Sequence, residues 1–298
     1  MSRNRATLIG FTAVLQWALL ALLTIGSAPV PPLLLNAMCF AIGGAFGLIW
    51  TLANGRAHVL KTVPLRVYAF GTIGLFGYHL LYFTALRLSP SAETGLIAYL
   101  WPLFIVLLSG LLPGERLGLP HVLGAMIAFA GAALIVLSRG GEGQGSVLGM
   151  SLAFLCAVTW AIYSVLSRRL GQVPTESVAV FCLATALLSV AAHMAFETTA
   201  WPQDAYGWAA VAALGLGPVG LAFFTWDIGM KRGDIQILGV ASYAAPLLST
   251  TALIVAGITK PSSTILIAAG LIAGGAALAA RASNRRASAA NTTPATGG

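Results

Sequence analysis

Charge is what this sequence has least of. Only 8% of its 298 residues are Asp, Glu, Lys or Arg, while 58% are hydrophobic and the mean hydropathy is +0.89. Soluble domains carry about 25% charged residues, so this chain cannot cover a globule of its size with polar surface. A soluble enzyme, a nucleic-acid-binding module and a disordered protein are excluded together. The solvent is a bilayer. Cysteine is also scarce: Cys39, Cys156 and Cys182 are odd in number, lie in apolar stretches and show no metal-ligand spacing. They read as small buried apolar residues, with no disulfide and no metal expected. Enzyme signatures are missing as well: there is no Gly-x-Ser-x-Gly, no His-Glu-x-x-His and no mid-span aspartate pair. No Gly-rich nucleotide loop with a lysine exists, so the chain is read as neither an enzyme nor an ATP-driven pump, and no cofactor is expected.

Long runs free of charge are what the chain does have: residues 6–55, 67–86, 94–114, 117–138, 143–167, 177–196, 205–226, 235–259 and 261–280. A spanning helix needs about 20 apolar residues. The first run is long enough for two, split by Pro29, Pro31 and Pro32. The chain reads as an all-α membrane protein of ten transmembrane helices, near 7–26, 33–53, 65–86, 91–111, 118–138, 147–167, 177–196, 205–227, 235–256 and 262–281. Arg3 and Arg5 ahead of an apolar run resemble a signal peptide. The small-residue site Gly26-Ser27-Ala28 is followed by Pro29, however, and the run is long enough to span, so it is expected to stay as a helix.

Ten helices place both termini on one side. If that side is the cytoplasm, thirteen of the sixteen basic residues lie inside: Arg3, Arg5, Arg56, Lys61, Arg66, Arg116, Arg168, Arg169, Lys231, Arg232, Arg281, Arg285 and Arg286. Only Arg87, Arg139 and Lys260 lie outside. Such a bias orients helical membrane proteins. Nine or eleven helices would scramble it. Residues 282–298, rich in Ser, Ala, Asn and Thr, are expected to form a disordered cytoplasmic tail.

The chain also repeats itself. A shift of 144 carries Gly95, Tyr99, Pro102 and Leu103 onto Gly239, Tyr243, Pro246 and Leu247, and Gly131-Ala132-Ala133-Leu134 onto Gly275-Ala276-Ala277-Leu278. A shift of 141 carries Gly74-Leu75, Leu80 and Phe83-Thr84 onto Gly215-Leu216, Leu221 and Phe224-Thr225. A shift of 143 carries Phe11 and Trp17-Ala18 onto Phe154 and Trp160-Ala161. The expected unit is five helices, residues 1–142 and 143–281. Because five is odd, the second copy is inserted upside down. Inverted repeats are a recurring plan of secondary transporters, where corresponding broken helices mark the substrate site.

Four breakers fit that rule: Pro102 and Pro246 in the fourth and ninth spans, and Gly77 and Pro218 in the third and eighth. The side chains near them are unusual. Trp17, Tyr78, Tyr82, Tyr99, Trp101, Trp160, Tyr163 and Tyr243 fall mid-span, whereas interface aromatics such as Trp50, Trp201, Tyr206 and Trp208 fall near span ends. Deep rings with polar tips need partners, which a ring-lined pocket for a planar or cationic small molecule supplies. Gln16, His79, Thr159 and Ser164 are the polar candidates to hold an α-amino and carboxylate group. Ordinary core packing is the competing reading for any one of these residues. His79 is the single mid-span ionisable group, a functional candidate by default. No carboxylate lies mid-span. Glu93 sits in the first turn of the fourth span and Asp227 near a span end, which points away from tight ion coupling and toward facilitated diffusion.

The run Ala85-Leu86, Ser89, Ala92, Pro102, Gly114-Glu115-Arg116, Gly124 and Gly131, with the five-plus-five repeat, resembles the EamA-type drug/metabolite transporter superfamily over residues 5–281. The second half departs from the pattern where Thr259-Lys260 stands in place of Glu-Arg. Tyr99-Leu100-Trp101-Pro102 and the aromatic centre are similar to those of its aromatic amino acid exporters. The resemblance implies ten helices around a central cavity in the bacterial inner membrane and export of tryptophan, phenylalanine and tyrosine by alternating access. The alternatives are a multidrug exporter of planar cations such as viologens and a membrane protein that moves no solute. The expected partners are the small-molecule substrate and lipid, with no nucleic acid.

Overall fold

Prolines and charged residues end the helices of this chain, and apolar sequence fills what lies between them. A computed structural model describes residues 1–89, 91–138, 146–258 and 260–292, with the side chains of 91–93 and 284–292 outside the description. Arg139, Thr259, the repeat boundary at 142/143 and the side chains of Glu93, Arg285 and Arg286, all named above, lie outside the described residues. Among the described residues there is no strand. The helices are α1 (Arg3–Trp17), α2 (Leu20–Gly26), α3 (Pro32–Ala53), α4 (Ala57–Lys61), α5 (Leu65–Leu88), α6 (Ser91–Ala98), α7 (Trp101–Ser109) and α8 (Leu119–Ser138). They continue with α9 (Val147–Arg169), α10 (Ser177–Phe196), α11 (Ala205–Leu216), a π-helical turn (Gly217–Leu221), α12 (Ala222–Arg232), α13 (Ile235–Ala241), α14 (Ala244–Val255) and α15 (Ser263–Thr292).

Nine of the resulting segments are long and apolar enough to cross a membrane among the described residues, and a tenth, Thr94–Ser109, is a shorter apolar helix. Their ends follow the sequence closely. Ser2, Ser146, Asp204 and Asp234 cap α1, α9, α11 and α13 with side-chain oxygens. Pro32 opens α3, where its missing N–H costs nothing.

Two expectations change. Gly77 does not interrupt its span: α5 runs unbroken from Leu65 to Leu88. A glycine weakens a helix by only about 1 kcal/mol and leaves its N–H in place, whereas a proline removes one. A Cβ at Gly77 would have room, its nearest neighbour being Thr159 Cγ2 at 3.8 Å. The last helix also continues past residue 281 to Thr292, so the first eleven residues of the expected tail are helical. Arg281, Ala282, Arg285, Arg286 and Ala287 are strong helix formers and carry the helix onward.

Close packing depends on glycines that face each other. A Cβ on Gly10 of α1 would lie 2.8 Å from Gly229 of α12, and one on Gly43 of α3 would lie 2.6 Å from Gly220 of the π turn. Helices α8 and α15 pack together through Gly124, where a Cβ would meet the Gly275 carbonyl at 2.6 Å, and Gly131, where it would meet the Ala268 carbonyl at 2.8 Å. Without a hydrophobic drive between helices in lipid, such backbone approach is what holds them.

Candidate functional site

The prolines create the site by starting helices, not by bending them. Pro102 is the second residue of α7 and Pro246 the third of α14, and each break lies immediately before, at Tyr99–Leu100 and Ser242–Tyr243. A proline ring excludes the carbonyl four residues earlier and fits the first turn of the next helix. Pro218 opens the π-helical turn in the same way. The Pro218 carbonyl accepts the indole N–H of Trp17 at 3.1 Å.

A cavity of about 130 Å³ lies among these breaks. Its volume approaches that of a cavity of about 150 Å³ that holds benzene, which is the scale of one aromatic ring. Trp17 and Leu20 line it from α1 and α2, Tyr78, His79 and Tyr82 from α5, and Ala98, Tyr99 and Trp101 from the broken α6–α7 span. Trp160 comes from α9, Pro218, Val219 and Phe223 from the π turn and α12, and Ala245 from α14.

Four indoles form the base. Trp17, Trp101, Trp160 and Trp226 touch in all six pairs, with centroid separations from 5.1 Å for Trp17–Trp226 to 6.3 Å for Trp160–Trp226. Trp226 lies behind the other three, 1% exposed, and donates its N–H to Ser164 Oγ at 3.1 Å. The opposite wall is phenolic. Tyr78 and Tyr82 stack at 6.1 Å with an interplanar angle of 4°, and both are partly exposed, as is Tyr99. His79 stands between Phe40, Phe83 and Phe223. Its Nδ1 meets the Leu75 carbonyl at 2.7 Å, so this nitrogen carries a proton.

Beyond the indoles, at the end of the bundle that carries the N-terminus, charges from distant segments meet. Arg3 pairs with Glu115 and Asp234, each at 3.1 Å. Arg168 pairs with the same Glu115 and donates to the carbonyls of Met230 at 3.0 Å and Gly233 at 2.8 Å. One turn deeper, the buried Lys231 holds Asp227 at 2.8 Å, and Thr175 donates to that carboxylate at 2.7 Å. At the other end, Glu197 collects Arg87 and His193 and accepts the first N–H groups of α3, from Leu33 and Leu34. That arrangement fixes a helix terminus.

Of the expected site residues, the structure brings Trp17, Tyr78, His79, Tyr82, Tyr99, Trp101, Trp160 and Pro218 to the cavity. It places five others elsewhere. Gln16 bonds its own helix, donating to the Thr12 carbonyl at 3.2 Å. Thr159 packs on Gly77, and Tyr163 is buried between Phe70 and Trp160. Ser164 serves Trp226, and Tyr243 is buried with its hydroxyl on the Leu103 N–H at 3.0 Å. Trp226 itself was not expected. It stands beside Asp227, the expected end of the eighth span. The Asp227–Lys231 pair, four residues apart, instead carries α12 on to Arg232. Among the described residues no cluster of His, Cys, Asp and Glu could hold a metal ion.

Comparison with known proteins agrees with this architecture. The EamA-like transporter family matches twice, at residues 4–137 and 147–281. The aromatic amino acid exporter YddG of Ancylobacter novellus is 55% identical over 271 residues, spanning 90% of this chain and 94% of that one. Exporters of the same name from Salmonella typhimurium and Escherichia coli are 27% and 25% identical, each over 84% of this chain and 88% of theirs. One crystal structure superposes with a TM-score of 0.89 at 56% identity, covering 93% of this chain and 98% of its own. The chain belongs to the EamA-like transporter family and is a multi-pass protein of the bacterial inner membrane.

Proposed function

We propose that this protein exports aromatic amino acids by alternating access between two inverted five-helix halves, with ten spans and both termini in the cytoplasm. The observation that carries the reading is the cavity between the indoles of Trp17, Trp101 and Trp160 and a phenolic wall. Flat side chains gain from such rings beyond their buried area. The names of the three exporters above support the same substrate class. Inverted symmetry is supported by the α8–α15 contact. The shift of 144 turns the Gly124–Gly275 approach into Ala268–Gly131, which is the second approach seen.

Of the lining rings, Trp101 and Trp160 are buried, whereas Trp17, Tyr78, Tyr82 and Tyr99 are partly exposed. The Arg3–Glu115–Arg168–Asp234 cluster at the end that carries the N-terminus supports a reading in which the cytoplasmic side is the closed one. None of the lining residues is acidic or basic apart from His79, which supports facilitated diffusion over tight proton or sodium coupling. Tryptophan counterflow in proteoliposomes, with and without an imposed pH gradient, tests both points. Saturable exchange indifferent to the gradient is expected. Absence of saturable exchange overturns the function, and gradient-driven accumulation overturns the coupling.

A further inference from the structure

Two tyrosines occupy equivalent places in the two halves and stand in different surroundings. Under the shift of 144, Tyr99, Pro102 and Leu103 become Tyr243, Pro246 and Leu247. Tyr99 lines the cavity and is partly exposed, whereas Tyr243 is fully buried and its hydroxyl accepts the Leu103 N–H at 3.0 Å. The difference follows from where the helices restart. Helix α7 starts at Trp101, so Leu103 is its third residue. Helix α14 starts at Ala244, one residue before the mate of Trp101, so Leu247 is its fourth. The first three N–H groups of a helix have no partner inside it, whereas the fourth reaches the carbonyl of the cap. Leu103 therefore needs an acceptor from outside its helix, and Leu247 does not.

The broken spans also meet on one side only. Helix α7 leads toward Glu115 and α13 starts from Asp234, both members of the charge cluster. These two half-helices close on each other: a Cβ on Gly239 would lie 2.9 Å from Val106 and 3.3 Å from the Pro102 carbonyl. A Cβ on Gly95, the mate of Gly239, would meet Val136 at 3.3 Å and, among the described residues, nothing of α14.

We propose that Tyr99 and Tyr243 exchange tasks between the two states: when the carrier opens to the N-terminal side, the Tyr99 hydroxyl accepts the Leu247 N–H and Tyr243 lines the substrate cavity. The inference rests on the alternating-access reading above. In an inverted repeat, each half takes in one state the arrangement its mate has in the other. The ninth span then restarts at Ala245, and Leu247 becomes a third residue whose N–H needs an outside acceptor. Closure of Gly95 on Pro246, the mate of the contact now made by Gly239, brings Tyr99 to it. Tyr243, released from Leu103, takes the place that Tyr99 has now, which is a wall of the cavity. Substrate thus meets a phenol from either side, and each state keeps one buried hydrogen bond across the halves.

Ser242 is fully buried, while its mate Ala98 lines the cavity, so Ser242→Cys reports opening to the N-terminal side. The rate at which a membrane-impermeant maleimide labels residue 242 from that side is measured in proteoliposomes of defined orientation, alone and with Tyr243→Phe or Tyr99→Phe. Tyr243→Phe, which removes the cap of the present state, is expected to raise the rate about tenfold, the loss of one buried hydrogen bond. Tyr99→Phe, which removes the cap of the opposite state, is expected to lower it by about the same factor. The double variant is expected to return close to the starting rate. Changes of the same sign in the two single variants, or no change in either, overturn the inference. Should Tyr243→Phe not fold, Tyr99→Phe decides alone: a lowered rate supports the exchange, and an unchanged or raised rate overturns it. Tryptophan counterflow separates this inference from the reading it rests on. Saturable flux without opposite shifts overturns the exchange only, and no saturable flux in the unmodified chain overturns both.

Discussion

The Tyr243 hydroxyl accepts the backbone N–H of Leu103 at 3.0 Å, so a side chain of one half completes the broken helix of the other. Leu103 follows Pro102, and its N–H would otherwise be buried in the first turn of α7 with no partner. The phenol therefore acts as a helix cap and not as a wall of the cavity.

Removing that oxygen is expected to loosen the centre. Tyr243→Phe keeps the ring and leaves one buried N–H unsatisfied, a cost of about 1–3 kcal/mol. Thermal unfolding in detergent checks it by a lowered apparent Tm, with the ring contact to Phe129 preserved.

Restoring the missing backbone bonds should act in the opposite sense. Pro102→Ala and Pro246→Ala together return two N–H groups to the spans and favour continuous helices. Thermal stability is expected to hold or rise while the rate of tryptophan exchange falls severalfold. Unchanged exchange would show that the breaks are not where the halves move.

Glu115 is the single carboxylate shared by Arg3 and Arg168, and Arg168 is the less exposed of the two. The Glu115 side chain is only 6% exposed, but Arg168 keeps the Met230 and Gly233 carbonyls without it, so the effect of Glu115→Ala is expected chiefly in the balance of states. In a Ser164→Cys background, labelling by a membrane-impermeant maleimide from the N-terminal face should increase severalfold when Glu115 is replaced. Cys39, Cys156 and Cys182 are buried and contribute little background.

The glycine contacts make a paired prediction. Gly124→Val places a side chain against the Gly275 carbonyl and should destabilise by about 1–3 kcal/mol. Gly270→Ala, on the same α15 but facing open space, should change stability by no more than about 0.5 kcal/mol. Detergent melting of the two variants compares them directly.

The spans were legible because lipid imposes a one-dimensional rule: runs without charge end where Arg56, Arg87, Arg168 or Glu197 begin. Ser177–Phe196 matches its expected limits to the residue. The cavity rings were legible for a related reason, since Tyr78, Tyr99 and Trp160 lie too deep for an interface belt. Contacts between segments far apart were not. Nothing local in Arg3, Glu115 and Asp234 announces that they share one cluster, and nothing in Tyr243 distinguishes a cap from a wall. Trp226 was hidden by its neighbour Asp227, whose charge read as a helix end until Lys231 neutralised it.

The four central indoles also make the protein its own optical reporter. Four of its seven tryptophans lie within ring-contact distance of one another, and Trp50, Trp201 and Trp208 are exposed nearer the helix ends. Chromophores so close share their excitation, and their near-ultraviolet circular dichroism depends on mutual angles such as the 24° between Trp160 and Trp226. Any motion that parts α9 from α12 must change that spectrum. With phenylalanine as the ligand, which absorbs little where indole does, the exchange between states can be followed in real time without attaching a dye.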